Sequence, residues 1–117
     1  MMLPHPLPDD LADLIARRFR ALGDPLRVRL LDLLRDGEAT VNALADEVGA
    51  GQQNVSKHLA VLAEAGMVAR RKEGTHVHYR IADAGVLALC EQVCGSVQAQ
   101  LAALAQLVGA PVQEGER

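Results

Sequence analysis

Apolar residues in this chain recur at three- and four-residue steps over most of its length, the spacing of helix faces. Leu11, Leu14, Ile15, Phe19 and Leu22 predict a first helix that starts at Asp9 or Asp10, where an acid can cap free N–H groups, and ends at Gly23. Asp24-Pro25 then restarts the helix, because Asp is a good N-cap and Pro is tolerated at the first helical position. That second helix runs to about Arg35, with Leu26, Leu30, Leu31, Leu33 and Leu34 apolar and Arg27 and Arg29 expected to point outward. Asp36-Gly37 stops it. Thr40 is the expected cap of a short third helix that turns Val41, Leu44, Ala45 and Val48 inward. Gly49 and Gly51 bracket the turn into a fourth helix, from about Gln52 to Ala65.

In the fourth helix Val55, Leu59 and Leu62 face the core, and Gln53, Ser56, Lys57 and Ala60 lie opposite, with Gln52 at the exposed first turn. Gly66 closes this helix. Met67 to Lys72 and His76 to Ile81 then predict a β-hairpin around Gly74. Asp83 is placed to cap a last helix from Ala84 to about Val108. The order α-α-α-α-β-β-α, with helices three and four joined by a short glycine turn, predicts a winged helix-turn-helix, mainly α with a small β-hairpin. Three segments follow: a flexible arm at 1–8, the winged domain with its dimerisation helices at 9–108, and a flexible tail at 109–117.

Composition narrows this reading. The chain has 117 residues, enough for one domain, and half are hydrophobic with one Phe, one Tyr and no Trp. An aliphatic core of Leu, Val and Ala suits packed helices. No apolar run approaches the roughly 20 residues that span a bilayer, and the Pro-rich, acidic start is unlike a signal peptide. Two cysteines are too few for a disulfide scaffold. A soluble cytoplasmic protein without membrane partners is expected. No glycine phosphate loop, nucleophile elbow or paired-acid cleft suggests an enzyme.

The formal net charge of −3 argues against nucleic acid until it is divided. Residues 1–51 carry six basic and nine acidic groups, residues 52–80 five and two, and residues 81–117 one and four. The segment with the polar helix and the hairpin is therefore the only positive one, at +3. DNA responds to that local field more than to the sum. A helix bearing Gln52, Gln53, Asn54, Ser56, Lys57 and His58, followed by a hairpin with Arg70, Arg71, Lys72 and His76, has the outline of a reader of double-stranded DNA. His58 has a second reading, packing or hydrogen bonding inside the module. His76 and His78 alternate along one strand and so share a face.

The runs ALGDPLRVRLLDLL, ALADEVGAGQQNVSKHLAVLAEAGMV and EGTHVHYRIAD resemble the ArsR/SmtB family of small bacterial metal- and stress-sensing repressors, over roughly residues 15–85. The resemblance implies a homodimer joined by the first and last helices, with the fourth helix of each subunit in successive major grooves of a near-palindromic operator. It assigns Gln52, Gln53, Ser56 and Lys57 to bases and phosphates. Independently, Cys90, Val93, Val97, Leu101, Leu104 and Val108 form an apolar seam on the last helix for which a second chain is the natural cover, the alternative being the first helix alone. With Leu11, Leu14 and Ile15 of the first helix these are the expected dimer contacts.

The family's usual sensor positions are not matched here. Thr40-Val41-Asn42 stands where a Cys-Val-Cys thiolate site would be, and the last helix begins Asp83-Ala84-Gly85 with no His after it. Cys90 and Cys94 remain, one helical turn apart, with His5 on the arm as an added ligand. They are open to three readings: packing in the seam, a metal site for nickel, zinc, copper(I) or arsenite, or a thiol switch bridging two subunits. The function expected is a DNA-binding repressor. The alternatives are an activator, or a winged-helix protein-interaction module without ligand sensing.

Overall fold

A computed structural model describes residues 3–109; the end of the expected tail, 110–117, lies outside the described residues. The element order is α1 (Asp9–Leu22), α2 (Pro25–Leu34), β1 (Ala39–Thr40), α3 (Val41–Val48), α4 (Gln52–Glu64), β2 (Val68–Glu73), β3 (His76–Ile81) and α5 (Ala84–Leu107). The chain forms two compact units, one ending at Ala84 and one beginning at Gly85. The boundary falls within the 9–108 segment expected as one domain.

In the first unit the capping chemistry sets most element limits. Asp24 Oδ1 accepts from the backbone N–H groups of Leu26 at 2.8 Å and Arg27 at 3.2 Å, and Pro25 opens α2 behind it. Thr40 Oγ1 accepts from Ala43 N at 3.1 Å and starts α3. Gly49 ends α3 at φ 69, a left-handed position that only glycine adopts without strain. Helix α1 starts at Asp9, as expected, but its cap differs. Its N-cap is Pro8, without a side-chain hydrogen bond, and Asp9 and Asp10 lie inside the first turn, where they face the positive end of the helix dipole.

The sheet also differs from a simple hairpin. Ala39 and Thr40 pair with Tyr79 and His78, so β3 is the centre of a three-stranded antiparallel sheet in the order β1-β3-β2. A two-residue strand carries no periodicity, which is why the sequence pattern does not reveal it. Glu73 pairs with His76 across the two-residue turn Gly74-Thr75, and Gly74 takes φ 61 at its first position, as a tight hairpin turn requires.

The core is aliphatic as expected. Leu30, Leu31 and Leu34 of α2, Leu44 of α3, and Val55, Leu59 and Leu62 of α4 are all buried, joined by Met67, Val68 and Tyr79. These side chains orient α3, α4 and the sheet as one body. Backbone hydrogen bonds from Met67 N to Leu62 O at 3.0 Å and from Ala82 N to Met67 O at 2.9 Å tie the end of α4 and the exit of β3 to the same point. Leu11 and Ile15 of α1 are half-buried, while Leu14 and Phe19 stand out in solvent.

The second unit is the long helix α5. Val86 is its one buried residue among those described. Val93, Val97, Leu101 and Leu104 are 53, 46, 61 and 57% exposed, and Cys90 is half-buried. No helix among the described residues is long and apolar enough to cross a membrane.

Candidate nucleic-acid interface

The first unit presents a polar cleft between the start of α4 and the tip of the wing. Its volume is about 450 Å³, and it is lined by Gln52, Gln53 and Ser56 of α4, by Thr75, His76 and Val77 of the wing, and by Thr40, Val41 and Asn42 at the start of α3. The core creates this arrangement. Val55, Leu59 and Leu62 are each 0% exposed, so α4 has one rotational setting and its polar residues must face out. Gln52, Gln53, Asn54, Ser56 and Lys57 are all exposed on that outer side.

The N-terminus of α4 adds to the cleft's chemistry. Its N-cap is Gly51, which brings no side chain to satisfy the first backbone N–H groups. Unsatisfied N–H groups and the positive end of the helix dipole together favour an anionic oxygen such as a phosphate. Three cleft residues, Asn42, Thr40 and Thr75, were not singled out from sequence. The sequence marks Thr40 as a cap, and Thr40 and Asn42 otherwise only as positions where a thiolate site would lie, and nothing in the local pattern marks Thr75.

The wing cations divide into two groups. Strand register puts Arg70 and Lys72 on the face of β2 that carries buried Val68, and Arg71 and Glu73 on the opposite face. Arg71 is held in a fork by Glu38, with Nη2 2.6 Å from Oε1 and Nε 3.1 Å from Oε2, and its Nη1 donates to Glu73 at 3.1 Å. The Arg71 hydrogen bond holds the Glu38 carboxyl below the usual carboxylate range, against the weaker opposing effect of burial. The same bonds raise the Arg71 guanidinium above its ordinary value. Arg71 was expected to touch DNA. Here its guanidinium is flanked by two carboxylates, Glu38 before β1 and Glu73 in the wing. Among the described residues no carboxylate pairs with Lys57, Arg70 or Lys72.

The histidines separate in the same way. His76 is exposed in the cleft. His78, on the same strand face, is half-buried with Nδ1 3.7 Å from Glu38 Oε1 and Nε2 3.8 Å from Glu73 Oε1. His58, expected beside the DNA face, turns away from it. Its Nδ1 lies 2.9 Å from Arg27 Nη1 and 3.9 Å from Asp24 Oδ1, both on α2. Arg27 is therefore directed inward and not, as its place in α2 suggested, toward solvent. At Asp24, burial pushes the carboxyl up, but the N–H groups of Arg27 and Leu26 and the charge of the nearby Arg27 guanidinium together bring it below its ordinary value.

Among the described residues no three His, Cys, Asp or Glu side chains come together in a way that would hold an ion. Cys94 is exposed, Cys90 is half-buried, and burial pushes the Cys90 thiol up. His5 is exposed on the arm.

A helix-turn-helix of α3 and α4 followed by a β-wing, with a polar cleft between them, defines a winged helix-turn-helix protein. Known proteins make the assignment narrower. A helix-turn-helix domain family matches residues 22–71. The chain is 46% identical over 78 residues to the transcriptional regulator KmtR of Mycobacterium tuberculosis, covering 67% of this chain and 60% of that one. It is 40% identical over 83 residues to a protein of Streptomyces lividans named "Probable mercury resistance operon repressor", covering 67% and 66%. The chain thus spans under two thirds of the length of these two relatives. Among solved structures, the homodimeric winged helix-turn-helix DNA-binding domain Mb0332 of Mycobacterium bovis, described as a possible ArsR-family transcriptional regulator, superposes with a TM-score of 0.69 at 32% identity, over 97% of this chain and 100% of that one. The chain belongs to the ArsR/SmtB family of winged helix-turn-helix regulators. The relatives named here are regulators, and none is an enzyme.

Proposed function

We propose that this protein is a homodimeric, sequence-specific DNA-binding repressor that places α4 of each subunit in the major groove of a near-palindromic operator. The observation that carries the reading is the cleft at the start of α4, where Gln52, Gln53 and Ser56 face Thr75 and His76 beside an uncapped helix end. Gln can bond adenine through two atoms, and Ser can bond a base or a phosphate. Lys57, Arg70 and Lys72 supply unpaired charge for the DNA backbone, which positions the reader without choosing sequence. The M. bovis neighbour is a homodimer, and the exposed seam of α5 suits the same assembly. Such a protein acts in the cytoplasm, on double-stranded DNA.

The experiment is selection of duplexes from a random-sequence pool, followed by affinity measurements on the winner. Enrichment of an inverted repeat, with Gln53→Ala relaxing the choice at one base pair per half-site, supports the reading. No enrichment overturns it.

For the signal, the thiols of α5 are the residues chemically suited to a soft ion or an oxidant, and one relative carries a mercury-resistance name. We assign the response to Cys94, the exposed thiol, with Cys90 behind it and a second chain supplying further ligands. Two thiolates suit copper(I), arsenite or mercury better than nickel. Operator release by one of these ions or by a thiol oxidant, lost in Cys94→Ser, is the expected result. Full release in Cys90→Ser/Cys94→Ser ends the thiol assignment.

A further inference from the structure

Arg27 uses its whole guanidinium to join three helices. Nε donates to the carbonyl of Ala21 at 2.5 Å and Nη2 to the carbonyl of Arg20 at 3.3 Å, both in the last turn of α1. Nη1 lies 2.9 Å from Nδ1 of His58 on α4. The residue itself sits in the first turn of α2, where its backbone N–H is held by Asp24. Carbonyls at a helix C-terminus lack intrahelical partners, so Nε satisfies an Ala21 carbonyl that would otherwise need water, while the Arg20 carbonyl also accepts from Gly23 N at 3.1 Å.

The contact with His58 fixes that ring's chemistry. Arginine has donors and no acceptor, and it stays charged. His58 Nδ1 must therefore accept, which requires a neutral ring with its proton on Nε2. A protonated ring would put an N–H against a cation. The charged groups facing His58 are Arg27 and Asp24, and Asp24 Oδ1 already accepts two backbone bonds. His58 follows Lys57 and precedes the fully buried Leu59, so this one bond ties the polar face of α4 to the ends of α1 and α2.

We infer that Arg27 is a positioning residue for DNA recognition, and that it sets α4 through neutral His58, so that acidification releases α4. This rests on the proposal that α4 reads DNA. The sign follows from the bond. The bond is present while the ring is neutral and is lost once the ring takes up a proton, so acid weakens the positioning. The comparison variants keep every other residue of the reader, His76 of the cleft included.

The test measures affinity from about pH 8 to about pH 5.5 for the duplex that the wild type selects from a random pool, beside His58→Asn, His58→Ala and Arg27→Lys. Asn can accept from Arg27 at the place of Nδ1 and does not titrate. His58→Ala and Arg27→Lys are expected to lose roughly tenfold at the upper pH, and His58→Asn to recover most of that loss. On acidification the wild type should fall about tenfold relative to His58→Asn. Wild type and His58→Asn with the same pH profile overturn the inference. So does nitrogen NMR that finds the His58 proton on Nδ1 at the upper pH. The NMR reads the unbound full-length protein, so it judges the latch even if Arg27→Lys folds poorly. If no duplex is enriched, the DNA reading fails, and the NMR still decides whether Arg27 holds a neutral His58.

Discussion

Helices α4 and α5 show how the same patterning rule can finish in two different ways. Both carry apolar residues at helical spacing. In α4 the stripe of Val55, Leu59 and Leu62 is wholly covered by its own chain. In α5 the stripe through Val93, Val97, Leu101 and Leu104 is about half exposed at every position. A covered stripe fixes a helix's rotation and so aims its opposite face. An uncovered stripe is suited to a partner, since monomeric proteins rarely leave so long an apolar strip in water. The single chain thus completes its reader, and in the proposed dimer a second copy completes its seam.

The sharpest break between the two helices should appear in stability. Leu59→Ala deletes a fully buried side chain and should cost about 3 kcal/mol in a denaturant titration, independent of protein concentration. Val97→Glu/Leu101→Glu should leave helix content intact by circular dichroism. In the proposed dimer it should give a monomer in sedimentation, with an operator affinity about a hundredfold weaker because two linked half-sites become one. An α5 double variant that stayed dimeric would break the comparison.

A finer contrast lies inside the wing. Arg70→Ala or Lys72→Ala should each lower the slope of log affinity against log salt by about one unit. Arg71→Ala should change that slope far less, because Glu38 and Glu73 already neutralise it. The smallest effect is acid loss of the wing clasp. Glu38 is lowered in the folded protein, so its contribution is full above the ordinary carboxylate value and fades as pH falls through the lowered one. A thermal melt should show Glu38→Gln below wild type at neutral pH and level with it in strong acid.

These contrasts also mark what could be read from sequence. Helix limits were legible where one residue does one local job, as Asp24-Pro25, Thr40 and Gly49 do. The covered face of α4 was legible because burial repeats with the helix. Charge destinations were not. Arg71 and Glu38 are 33 residues apart, and Arg27 and His58 are 31 apart, so neither pair leaves a local signal. Both arginines and His58 look outward until the fold brings their partners in. Strand β1 escaped for a different reason: two residues supply hydrogen bonds but no pattern.

In the proposed assembly two copies of one reader share one DNA site through α4 and the wing. Its most direct measurement is a stoichiometric titration of the selected duplex by fluorescence anisotropy at several salt concentrations. Two chains per duplex are predicted, with affinity falling steeply as salt rises because lysine and arginine displace counterions from phosphates. One chain per duplex, or an affinity indifferent to salt, would contradict the account.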